Sequence, residues 1–288
     1  MRRKTKTNAA IGILVLASLT SCSTNESGGK EEIGKSVGPS PTSVSQSAVE
    51  PTLPLDAYLL SPADIDTITQ AREEIVARCM SNLGFPYKKV EKESPLKSAN
   101  GRRYGLTDAE LAAQHGYHLP VAKQTPVLYP QTAQRLLKGE VTTFKGKKVP
   151  NGGCLGLAQQ KLGEVNLQES LEVAQRLNFE SYETTRGNST VSEVNSRWSD
   201  CMKEEGHDYS DPLSAINDDQ FKTPKANGHE QDVALADVRC KKKTGVIEVW
   251  SSVEGEYQQS LIRQNVGALQ KGGSAKRETL RVAMQVLS

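Results

Sequence analysis

The sequence has few of the features that announce a chemistry. Aromatic residues make up 5% of its 288 positions, and histidine occurs four times. It contains no G-x-S-x-G elbow, no H-E-x-x-H word, no P-loop and no G-x-G-x-x-G turn. His229-Glu230 begins a metalloprotease-like word but lacks the second histidine. No two cysteines stand in a C-x-x-C arrangement, so a zinc ribbon or thioredoxin-type site has no support. Charge is nearly balanced, with a formal net of +2, which gives no electrostatic case for nucleic acid. Lys241-Lys242-Lys243 is a short basic run, expected on a solvated helix face. Strand alternation is nowhere sustained, and the expectation is a mainly α fold.

What is present begins at the N-terminus. Arg2, Arg3, Lys4 and Lys6 precede an uncharged, mainly apolar run from Ala9 to Leu19. That run suits the h-region of an export signal and is too short to span a bilayer. Leu19-Thr20-Ser21-Cys22 follows, small residues before a thiol. The quartet resembles the lipobox of bacterial lipoproteins. The resemblance implies cleavage between Ser21 and Cys22, an acylated Cys22, and a chain held at the outer face of the cell membrane. Without the four basic residues of the leader, the formal charge moves from +2 to about −2. The tract from Ser23 to about Pro54 is rich in Ser, Gly, Pro and Thr and almost without large apolar residues. Such a tract cannot bury enough surface to order itself, and residues 22–55 read as a disordered tether of roughly 30 Å mean span.

Four cysteines remain beyond the leader: Cys79, Cys154, Cys201 and Cys240. Outside the membrane, an even count reads as disulfides. Spacing alone permits three connectivities. A repeated word favours one of them. Cys79-Met80 to Tyr87 and Cys201-Met202 to Tyr209 both read C-M-x-x-x-G-x-x-Y, each after a helical pattern. If each copy heads a unit, Cys79 pairs with Cys154 and Cys201 with Cys240; the other two connectivities stay open at this level. The units would be residues 56–163, carrying an insert, and 164–288, two related disulfide-stapled half-repeats. Tyr87 and Tyr209 are each expected to pack back on their own helix.

Local cues place the elements. Ser61-Pro62 caps a helix whose apolar stripe runs to Leu83, and Gly84 ends it. Thr107 is expected to cap a short helix through Ala113. Another short helix is expected over 131–137, and a hairpin over 141–149 turning at Lys145-Gly146. Residues 166–177 show one apolar face. Thr190 and Glu193 form a capping-box word before the second cysteine helix, and Val233 to Lys243 continues the α pattern. The longest stripe runs from Val246 to Leu269 and should stop at Gly272-Gly273, with a last short helix near Leu280. Trp250 on that stripe is expected in the core.

His115 and His118 are the sharpest candidates for chemistry, since i and i+3 residues share a helix face and could offer two imidazoles to a metal. Gly116 interrupts that helix, and spacing places no acidic partner, so no metal or other cofactor is assigned. Tyr104, His115, Tyr117 and His118 are instead expected to line a weak ligand pocket. The cysteine words, the tether and the lipobox together resemble surface lipoproteins of high-GC Gram-positive bacteria, a resemblance that brings no activity with it. The leading expectation is a non-enzymatic binding or envelope-interaction module. Its partners would be the membrane, through the lipid on Cys22, and an envelope protein or small ligand. A secreted hydrolase and a metal-handling lipoprotein are the alternatives.

Overall fold

Ser61 starts the first long helix as its side chain predicts. Its Oγ accepts the Asp64 N–H at 3.1 Å, Asp64 Oδ2 accepts the Ser61 N–H at 2.9 Å, and Pro62 occupies the first turn. The computed structural model describes residues 50–89, 98–120 and 128–288, which belong to one compact unit. The expected signal peptide, Cys22 and most of the tether lie outside them. The tract's last residues do not behave as tether, because Leu53 and Leu55 are buried and start a 3-10 turn, Pro54–Tyr58.

The body is mainly α. Its helices are α1 (Pro62–Asn82), α2 (Ala109–His115), α3 (Gln131–Lys138), α4 (Gly153–Leu162), α5 (Glu164–Arg186), α6 (Ser189–Glu204), α7 (Pro212–Ile216), α8 (Gly228–Thr244), α9 (Val246–Gln264) and α10 (Val266–Leu287). The sheet among the described residues is one two-stranded hairpin, β1 (Thr143–Phe144) with β2 (Lys147–Lys148). It turns at Lys145 and Gly146, both at positive φ as a tight hairpin demands. No described helix is long and apolar enough to cross a membrane.

Two disulfides staple this body, Cys79–Cys154 and Cys201–Cys240, each with Cα atoms 5.7 Å apart. The repeated word has a structural meaning at both sites. Gly84 and Gly206 adopt positive φ. The next residue then folds back, Phe85 N–H to the Met80 carbonyl (2.9 Å) and His207 N–H to the Met202 carbonyl (2.8 Å). This is the same glycine-dependent helix stop twice, and it leaves each cysteine one turn inside its helix, facing the core. The tyrosines differ. Tyr87 donates to Glu73 on its own helix and stacks on Tyr129. Tyr209 donates forward to Asp218, its backbone carbonyl accepts from Ser199 of α6, and its ring packs against the core cluster that includes α6 residues.

The core has two main parts. One joins α1, α3 and α4 to the start of α5 and to α10; the other joins α2, α6 and α8. Helix α10 thus completes the cluster around Cys79–Cys154, although it comes last in the chain. Several sequence expectations need correction. The short helix before His115 is capped by Asp108, not Thr107, and α6 by Asn188, not Thr190. In each case the Asp or Asn side-chain oxygen accepts free N–H groups two or three residues on. The long stripe after Gly245 breaks at Asn265 rather than at Gly272-Gly273. Those glycines lie inside α10, because a Cβ at Gly272 would come within 2.6 Å of the Ser170 carbonyl on α5. Gly272 serves close helix packing, not termination. Lys241 is the largest surprise. It is 2% exposed and ion-paired, whereas a solvated face was expected for its run.

Candidate functional site

The insert of the first unit carries Tyr104, His115, Tyr117 and His118, and the fold takes them to different places. Its described part, residues 98–120, lies against α8 and α9. There it meets three buried carboxylates, Glu254, Asp237 and Glu230, none of them accessible to solvent. A buried carboxylate is costly unless paired and hydrogen-bonded, and each of the three is contacted by the insert.

Glu254 on α9 receives the Arg103 guanidinium and the Tyr104 hydroxyl (2.8 Å). It also accepts from Ser181 (2.6 Å) and Gln258 (3.2 Å). Gln258 in turn accepts the Leu55 N–H at 2.9 Å, so the start of the body joins the same network. Burial opposes charge on Arg103, yet the bonds to Glu254 win and raise its pKa. Burial, with Glu254 alongside, pushes the Tyr104 phenol up. Tyr104 is therefore a neutral donor fixed in the interior, packed on Trp250.

Asp237 on α8 binds the Trp198 indole N–H (3.0 Å) and the Lys241 ammonium (2.7 Å). Lys241 also donates to the Leu106 carbonyl of the insert at 3.0 Å. Burial drives the pair toward neutrality, Asp237 upward and Lys241 downward. Gly105 lets the insert approach, since a Cβ there would sit 2.5 Å from Lys241 Nζ.

Glu230 holds the third contact. Its Oε1 accepts the Tyr117 N–H (2.8 Å) and faces His118 Nδ1 (2.9 Å). His118 Nε2 faces the Thr223 carbonyl at 2.6 Å. A neutral imidazole has one N–H, so only the imidazolium can donate to both acceptors. The Thr223 carbonyl and then Glu230 accordingly raise the His118 pKa. Gly116, at φ 55°, makes room, because a Cβ there would lie 2.5 Å from Glu230 Oε1. Glu230 Oε2 is buried without a hydrogen-bond partner, and the buried Tyr117 hydroxyl lies against Asp237. Tyr117 and His118 thus meet at Glu230, while Tyr104 serves Glu254. His115 ends α2 and makes a turn through its carbonyl to the His118 N–H. No group of three or more His, Cys, Asp or Glu among the described residues could hold a metal ion.

A small pocket of about 230 Å³ opens elsewhere, where the end of α5, the start of α6, the turn into α7 and α9 meet. Trp250 and Leu213 supply its apolar lining, and Arg186, Ser192, Asn195 and Asp211 its polar lining. Trp250 is 1% exposed and held in place by Tyr182, stacked at 5.3 Å, and by its N–H bond to Thr185 Oγ1 (3.2 Å). Asp211 Oδ1 accepts the Leu213 and Ser214 N–H groups, and Oδ2 takes the Ser210 hydroxyl. Asn195 Oδ1 is buried and has no partner. Arg186 has no carboxylate partner among the described residues.

Sequence reasoning missed the acids of α8 and α9 and the pocket. One signal was available. Glu230, Asp237 and Lys241 interrupt the apolar stripe of α8 at positions that share its buried face. No family model matches this chain, and neither a curated protein nor a solved structure matches it.

Proposed function

We propose that this chain is an extracytoplasmic binding module, lipid-tethered to the outer face of the cell membrane through Cys22 and without catalytic activity of its own. The observation that carries the reading is the pair of buried disulfides, each closing a helix-end cysteine onto a partner downstream. Such bonds form and persist in oxidising compartments, which is where the Leu19–Cys22 quartet would deliver the chain. The buried charges support a binding role over a chemical one. Glu254, Asp237 and Glu230 are occupied in holding the insert, and Arg103, Lys241 and His118 answer them.

Labelling cells with an alkyne fatty acid tests the reading. The wild-type chain should take up the label and fractionate with membranes. Cys22→Ser should remain an unlabelled, unprocessed precursor. Normal cutting and release of that variant would point to ordinary secretion and overturn the anchor.

A further inference from the structure

Two histidines meet at the surface of the second unit, apart from the carboxylate networks and the pocket. His207 follows the end of α6 and His229 lies in the first turn of α8, with ring centres 6.2 Å apart and planes inclined at 58°. The fold fixes both backbones. Gly206, at φ 88°, stops α6, and the His207 N–H bonds the Met202 carbonyl at 2.8 Å. Asn227 caps α8, its side chain accepting the Glu230 N–H at 2.9 Å, and the Cys201–Cys240 disulfide ties α6 to α8. Both rings are open to solvent, His229 exposed and His207 half-buried. Nothing stands within 4 Å of where a Cβ would sit at Gly206 or Gly228, the residues just before them. Among the described residues no hydrogen bond occupies either imidazole, whereas both nitrogens of His118 are taken. Each neutral ring therefore keeps a nitrogen lone pair for a metal ion. Two imidazoles that share one ion at about 2.0–2.1 Å have ring centres roughly 5–6.5 Å apart, from a tetrahedral to a trans arrangement. Each ring also has a carboxylate in electrostatic reach, Glu205 for His207 and Asp218 for His229, which favours a cation. The repeated word sharpens the contrast. Phe85 holds the place of His207 in the first copy, after the same glycine stop, and packs against the core around Cys79–Cys154.

We propose that His207 and His229 together bind one divalent transition-metal ion, with water completing its coordination. Imidazole suits copper, nickel and zinc, and among these copper(II) binds most tightly. No third His, Cys, Asp or Glu among the described residues joins the pair, so the site is a surface chelate rather than a closed structural centre. The assignment goes beyond the reading of the chain as a tethered module and does not depend on the anchor at Cys22.

The test is isothermal titration of the full chain in detergent micelles with copper(II), nickel(II), zinc(II) and magnesium chloride. One copper(II) should bind per chain with a Kd below about 100 μM, nickel and zinc more weakly, and magnesium not at all. His207→Phe takes the residue that the first copy carries after its helix stop, and His229→Gln changes an exposed side chain, so both variants should fold; far-ultraviolet circular dichroism checks this. Each should weaken copper binding about tenfold or more, while His115→Gln should bind as the wild type does. Electron paramagnetic resonance at one equivalent of copper(II) should show two coordinating imidazole nitrogens in the wild type and one in either variant. Absence of saturable copper binding up to about 1 mM would overturn the assignment. So would unchanged affinity in either His207→Phe or His229→Gln, or loss of binding in His115→Gln. Lipid labelling at Cys22 is read separately. Failure there with copper binding intact removes the anchor alone, and failure of binding with labelling intact removes the metal site alone.

Discussion

At the scale of single residues, Arg103 shows how much can depend on one side chain. Glu254 is inaccessible to solvent and takes six hydrogen bonds or ion-pair contacts from four side chains, but the one positive charge among them is Arg103. The Arg103 guanidinium also reaches the Asn178 carbonyl at 2.7 Å and lies over the Tyr182 ring. Removing one partner of a buried pair leaves the other charge uncompensated, which costs about 3–5 kcal/mol. Arg103→Met keeps the stem and deletes the charge. It should destabilise the body by about that amount at neutral pH, measured by urea unfolding followed through tryptophan fluorescence. A change below about 1 kcal/mol would mean that Glu254 is not held as described. Pairing Arg103→Met with Glu254→Gln should recover part of the loss, because no buried charge then remains.

At the scale of elements, the insert is attached at three points, and one of them titrates. His118 lies between Glu230 on α8 and the Thr223 carbonyl of the loop that precedes α8, with Arg102 and Tyr117 on its own segment as neighbours. Its pKa is raised by folding, so its contribution is complete below the unfolded value near 6.5. That contribution is lost as pH rises through the higher folded value. The stability difference between wild type and His118→Gln should therefore shrink from about pH 5.5 to about pH 8.5. Denaturation midpoints for both chains at the two pH values measure it. A difference that stays constant would show that the ring does not titrate in this contact. Elements were the scale most legible in the sequence. Ser61, Gly84, Gly206 and the Lys145-Gly146 turn carry local signals, and local signals survive into the fold. The repeat favoured the disulfide pairing that the fold has, because each copy heads a unit with the same helix stop, but it did not exclude the other two connectivities. What could not be read was set by distant contacts. Gly272 looks like a terminator until the Ser170 carbonyl is placed against it. Lys241 looks solvated until Asp237 and the Leu106 carbonyl surround it, the latter from 135 residues away. The pocket likewise draws on four segments between Arg186 and Trp250, with no common motif.

At the scale of the whole molecule, the two covalent staples divide the chain into closed loops. One spans 75 residues and contains the exposed turn at Lys145; the other spans 39 and contains the exposed Lys225. Brief trypsin treatment that nicks after these two lysines should leave one species on a non-reducing gel. Adding reductant should release three fragments. Separation into pieces without reductant would contradict the pairing. Because both nicks fall inside closed loops, a protease meeting either turn would break the backbone without setting any part of the molecule adrift. A chain facing the exterior of a cell could absorb such first injuries and keep its shape.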